Sequence, residues 1–128
     1  MGLFGNIFGK EQQEQEEKQS IHWIPLTELN QLDTINTSEK LTVIFKHSTR
    51  CIISKTVLRE FESSFDLNAE DIDLYFLDLI QYREISNAIA DKWLVVHQSP
   101  QLIVLKSGKV LAHDSHSDIT KIDLKSFV

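Results

Sequence analysis

The sequence has one cysteine, no excess of positive charge and no long apolar run. A single thiol, Cys51, cannot close an internal disulfide, which excludes a disulfide scaffold and the cysteine-rich zinc sites. It fits a reducing compartment, and so points to the cytoplasm. Thirteen basic against nineteen acidic side chains leave a net charge of −6. Phosphate backbones reward the opposite balance, so nucleic acid is not an expected partner. The longest apolar stretches, such as Leu41–Phe45 and Leu102–Leu105, fall far short of the ~20 residues that span a bilayer, so no membrane span is expected. What is present is an ordinary globular balance, 41% hydrophobic and 25% charged over 128 residues. That length suits one domain.

The first twenty residues differ from the rest. Leu3, Phe4, Ile7 and Phe8 lie at helical spacing, which would suit contact with a membrane or a partner, and Gly9–Ser20 then contains no apolar side chain. The second stretch is compatible with a solvated helix or with disorder, because it cannot bury enough area to offset its ordering entropy. No basic start precedes a sustained apolar region, so it does not read as a secretory signal. Gly2 invites acylation, but Asn6 stands where that pattern wants Ser or Thr. Residues 1–20 are expected to form a flexible polar amino-terminal tail, and 21–128 a folded domain.

From Ile21 strand and helix signals alternate. Trp23–Leu26 reads as a short strand, and Thr27 offers an N-cap for a helix through Leu29, Leu32 and Ile35. Leu41–Phe45 is a β-rich apolar run of the kind covered on both faces. After His47-Ser48-Thr49-Arg50-Cys51 comes a helix with Ile53, Val57, Phe61 and Phe65 every four residues. Ile72–Leu79 is a second buried-type strand, and Tyr82, Ile85, Ile89 and Trp93 mark the next helix. Pro100 precedes the strand Leu102–Leu105, and Lys106-Ser107-Gly108-Lys109 turns the chain into Val110–Ala112 as a hairpin. Ser117 or Asp118 can cap a last helix carrying Ile119, Ile122 and Phe127. The order β-α-β-α-β-α-β-β-α predicts an α/β fold, a mixed central sheet flanked by helices.

Cys51 has two readings. One is an inert thiol packed in the helix stripe; the other is a reactive thiol at the loop–helix junction. Four polar residues precede it and Ile53 opens the stripe two residues later, which favours the junction. The thiolate is the nucleophile, and a free cysteine with pKa ~8.5 is only slightly ionised near neutrality. A helix starting at Cys51 would aim unpaired N–H groups and the positive dipole end at the sulfur, and Arg50 adds a formal cation; both favour the thiolate. Ser54 stands three residues on, where a dithiol enzyme would place its resolving cysteine. Its hydroxyl can donate to a thiolate but cannot close a disulfide.

The segments Phe45–Ser54, His97-Gln98-Ser99-Pro100-Gln101 and Val110–His116 resemble the YtxJ family, the monothiol bacilliredoxins of the bacillithiol system, and the element order resembles the thioredoxin plan. The resemblance covers roughly residues 21–128. Family members read T-C-P-I-S where this chain has Arg50-Cys51-Ile52-Ile53-Ser54. The missing proline removes a pre-set φ angle at the first helical turn, and Arg50 changes the charge beside the thiol. The resemblance implies a thioredoxin-like fold and a thiol–disulfide oxidoreductase with Cys51 as its catalytic residue, supported by Arg50, Ser54, Ser99 and Pro100. It implies a cis Ser99–Pro100 bond lying against the cysteine loop; the plain reading of that dipeptide is a strand-entry turn. It also implies S-thiolated client proteins and a low-molecular-weight thiol as partners, and no cofactor beyond bacillithiol or a similar co-substrate. Arg50, and more weakly Lys46, are candidates to attract the malate carboxylates of bacillithiol. The rival reading leaves both side chains solvated.

His47, His97, His113 and His116 raise a metal reading, but no third ligand stands at a spacing that fixes a site with His113-x-x-His116. Hydrogen bonding at loop ends is the plainer role, and no metal is expected. Some monothiol glutaredoxins hold a shared [2Fe–2S] cluster through C-G-F-S, which Cys51-Ile52-Ile53-Ser54 does not match. Three functions therefore compete: a monothiol oxidoreductase, an iron–sulfur carrier on the same fold, and a non-catalytic interaction module.

Overall fold

Seven consecutive buried residues, Leu41–His47, form the strand around which the rest of the sheet is built. The structure, a computed structural model, describes residues 21–128. The amino-terminal tail expected over 1–20 lies outside the described residues. The strands are β1 (Trp23–Pro25), β2 (Leu41–His47), β3 (Ile72–Asp78), β4 (Gln101–Lys106) and β5 (Lys109–Ser115), and the helices are α1 (Asn30–Thr37), α2 (Ile52–Ser64) and α3 (Arg83–Trp93). They form one sheet of order β1-β3-β2-β4-β5. β3 runs parallel to β1 and β2, β4 is antiparallel to β2, and β5 is antiparallel to β4. This is the mixed α/β architecture that the element order predicts.

Strand alternation sorts β2 between two cores. Ile44 packs with Leu32 and Ile35 of α1 and with Ile85, Ile89 and Trp93 of α3. Val43 and Phe45 pack on the opposite face with Val57 and Phe61 of α2, Ile119 and Leu124. A strand covered on both faces reads as a continuous apolar run, which is why Leu41–Phe45 was legible. The hairpin between β4 and β5 turns through Ser107 (φ 53°) and Gly108 (φ 74°). Two positive φ angles are the requirement of a two-residue type I′ turn.

Three local expectations are corrected. Thr27 does not cap α1, whose N-cap is Leu29 with no side-chain bond. Instead Gln31 Oε1 accepts the N–H groups of Thr27 and Glu28 at 2.8 and 3.0 Å, and its Nε2 donates to Pro25 O. One amide side chain thus ties the turn that Thr27 was expected to close. In α2, Ile53 is 54% exposed and the buried members are Ser54, Val57 and Phe61. The stripe begins on a serine because that hydroxyl has partners below it. The last helix is replaced by two short 3₁₀ turns, His116–Lys121 and Leu124–Phe127. Thr120 Oγ donates to Ser117 O and Ser126 Oγ to Asp123 O, so short polar side chains compete for the carbonyls a helix would use.

Candidate active site

The carboxyl end of β2 delivers the chain into the turn Ser48–Cys51 and then into α2. Cys51 N–H donates to Ser48 O at 3.2 Å, closing that turn, and Cys51 O accepts Lys55 N–H at 3.2 Å as the first bond of the helix. Cys51 is the N-cap of α2, with extended backbone at φ −110° and ψ 121°. The thiol is free and half-buried. It sits at the junction, as one of its two sequence readings expected. The first-turn N–H groups of a helix lack intrahelical acceptors, and they face the N-cap position together with the positive end of the dipole. Ile52 and Ile53 beside it are 79% and 54% exposed.

Ser54 commits its hydroxyl to His47 and Ser48. Its Oγ accepts Ser48 N–H at 3.1 Å and lies 2.8 Å from His47 Nδ1; among the described residues no hydrogen bond joins it to Cys51. His47 is buried, its ring 5.3 Å from that of Phe76. Burial above all lowers its pKa below the ordinary imidazole value; Asp78 and Glu62 oppose the shift, and Lys55 adds to it. With His47 neutral and its Nδ1 unprotonated, the Ser54 hydroxyl donates to Nδ1 while its oxygen accepts Ser48 N–H. His47 and Ser54 therefore fix the start of the cysteine turn. Arg50 is exposed and has no hydrogen bond or ion pair among the described residues.

Pro100 comes to the same end of the sheet. β2 and β4 pair with Lys46 opposite Gln101, so the next step of the register sets His47 beside Pro100. The Ser99–Pro100 peptide is cis, as the resemblance implied. Ser99 Oγ is buried and, among the described residues, has no hydrogen-bond partner. Cys51, Ser99 and Pro100 thus lie in segments that meet where β2 ends.

Lys46 and Gln101, whose partnership the sequence did not show, meet on the other face. Lys46, expected to attract carboxylates or to be solvated, is wholly buried. Its Nζ lies 2.7 Å from His97 Nδ1 and donates to Gln101 Oε1 at 3.0 Å. Burial first, and the Arg83 guanidinium second, lower its pKa to about 8. The same burial lowers the pKa of His97, with Lys46 and Arg83 adding to the effect. The signal was parity: Lys46 continues the row of Thr42 and Ile44 in a strand buried on both sides. Its pairing with Gln101 needed the β2–β4 register, which no local pattern carries. The four histidines do not converge, and among the described residues no group of three His, Cys, Asp or Glu forms a metal-ligand cluster.

Lys46 gives a test by pH. The folded chain releases this proton near pH 8, whereas the unfolded chain holds it to 10.5. Between those values the unfolded state binds more protons, so stability rises with pH. The cost of the buried charge is full below pH 8 and is relieved by 10.5. Relative to Lys46→Met, the wild type should gain on the order of 2 kcal/mol across that window, after allowance for screening. Urea unfolding of both proteins at several pH values measures it; parallel pH profiles would contradict the assignment.

The monothiol bacilliredoxin BrxC family model matches residues 24–124. A solved structure assigned as an oxidoreductase with a thioredoxin fold is 32% identical, covering 76% of this chain and 85% of its own, with a TM-score of 0.66. Thioredoxin from Malassezia sympodialis is 20% identical over 80% of this chain and 84% of its own, with a TM-score of 0.61. Thioredoxin from Trypanosoma brucei brucei is 22% identical over 78% and 86%, with a TM-score of 0.60. The last two bear on the fold alone, and the fold is that of thioredoxin. No helix among the described residues is long and apolar enough to cross a membrane.

Proposed function

Because the chain belongs to the monothiol bacilliredoxin family, we propose that it removes a low-molecular-weight thiol, bacillithiol, from protein mixed disulfides in the cytoplasm. The observation that carries this reading is the placement of Cys51. The sole thiol of the chain caps α2, half-exposed, at the sheet end where Ser99 and Pro100 also lie. The Cys51 thiolate attacks the sulfur of the small thiol in the client's mixed disulfide. A new S–S bond forms between Cys51 and the small thiol, the client S–S bond breaks, and the client cysteine leaves as a thiolate that takes a proton from water. One disulfide replaces another, so no further oxidant or reductant enters the step. The adduct stays on Cys51 until an external thiol or a partner reductase attacks it.

The other groups have supporting roles in this scheme. Ser99 and Pro100 shape the backbone beside the thiol, the Ser99 hydroxyl being buried and without a partner among the described residues. His47 and Ser54 steady the turn that carries the thiol. Arg50, exposed and without a partner among the described residues, attracts the carboxylates of the small thiol. A client peptide carrying bacillithiol on its cysteine should release its free thiol in a 1:1 ratio with Cys51; no release would defeat the proposal. Arg50→Ala should slow loading by a carboxylate-bearing disulfide about threefold more than loading by neutral hydroxyethyl disulfide, and the gap should close in high salt. Equal slowing of both would remove Arg50 from recognition.

A further inference from the structure

Lys46 is an ammonium buried in a sheet with no carboxylate partner among the described residues. Its nearest charged neighbour by effect is another cation, Arg83. A buried charge without a counter-ion is expensive. An apolar side chain would simply continue the row of Ile44 on the face covered by α1 and α3. Packing therefore does not ask for a lysine at this position.

Its contacts show what it holds. Both groups bonded to Nζ, His97 Nδ1 and Gln101 Oε1, flank the segment that leads into β4. Gln101 extends the hold, because its Nε2 donates to Val96 O at 2.9 Å and its Oε1 also receives Gln98 N–H at 3.4 Å. Ser86 Oγ of α3, 3.3 Å from His97 Nδ1, ties the cluster to the helix layer. Residues 96–101 are thus fastened to one post on β2. They carry the exposed Val96 side chain, Pro100 and the Ser99 hydroxyl, which has no partner among the described residues. On the opposite face the neighbouring His47 fastens the cysteine turn through Ser54. Two adjacent β2 residues anchor the two loops that meet at the site.

We propose that Lys46, acting through Gln101 and His97, is a positioning residue for thiol exchange. It holds residues 96–100 in register with the Cys51 turn, so that a peptide-borne mixed disulfide is aligned with Sγ. The inference rests on the reading of Cys51 as the nucleophile. Exchange at sulfur needs the attacking, central and leaving sulfurs nearly in line, and misplacement of the supporting segment is costly in rate. A small alkylating agent makes no such demand.

Two variants test it. Lys46→Met removes the post. Gln101→Glu keeps the volume and offers Lys46 a carboxylate, but cannot donate to Val96 O; it decides the matter if Lys46→Met does not fold. Each should react with iodoacetamide at Cys51 within about twofold of wild type. Each should react with a peptide–bacillithiol mixed disulfide about tenfold more slowly. Wild-type rates with the mixed disulfide, or equal slowing in both reactions, would overturn the positioning role. Failure of the Cys51 reading would appear separately, as a wild-type protein that does not react with the mixed disulfide at all.

Discussion

Replacing Cys51 by serine should lower transfer of a small thiol from a client peptide by at least about a thousandfold while leaving the fold intact. The chain has no other sulfur nucleophile, since its remaining sulfur is the Met1 thioether. An alcohol near neutrality supplies almost no anion, and an oxygen cannot form the disulfide on which the adduct is stored. The fold should tolerate the change well. Cys51 occupies the N-cap of α2 and makes no side-chain capping bond, whereas serine is among the preferred N-cap residues. Urea unfolding should therefore show stability unchanged or raised by up to about 1 kcal/mol. Transfer that survives Cys51→Ser would place the chemistry elsewhere. A large loss of stability would mean that the thiol is a packing group.

The largest effect on stability is expected from Phe45→Ala, at about 4 kcal/mol. Phe45 is wholly buried in β2, with ring centroids 6.0 Å from Trp23 and 5.8 Å from Phe61. Truncation removes the hydrophobic transfer energy of the ring and leaves a cavity between β2 and α2, which the sheet cannot close without shifting Val43 and His47. Domains of this size are stable by only ~5–15 kcal/mol, so the variant should unfold at far lower urea. The loss also reaches the site, because His47 follows two residues on and steadies the cysteine turn through Ser54. A loss below about 1 kcal/mol would contradict the packing of this face.

Much of this was legible because the signals were local. Leu41–Phe45 and Ile72–Leu79 announced strands covered on both faces, and Tyr82, Ile85, Ile89 and Trp93 a helix stripe. Ser107-Gly108 announced the turn by its residue types. Cys51 was visible as the only thiol, at a change from polar residues to a helical period. What stayed hidden depended on partners far away in sequence. Ser54 was read by its spacing from Cys51 as able to donate to the thiolate, and its hydroxyl in fact bonds His47 and the Ser48 N–H. Lys46 was read as a surface cation, because nothing near it reveals that Gln101 lies opposite. The carboxyl-terminal segment carried apolar residues at helical spacing, but Ser, Thr and Asp dominate between them and their hydroxyl bonds favour short 3₁₀ turns.

The central claim is that one thiol accepts the adduct and cannot clear it alone. The most direct measurement is the intact mass of the full chain, followed in time after mixing with a peptide–bacillithiol mixed disulfide and removal of the small molecules. The account predicts one bacillithiol per chain, located on Cys51, that persists until an external thiol is added. A chain that takes up no adduct, or one whose adduct clears with no thiol supplied, would contradict it.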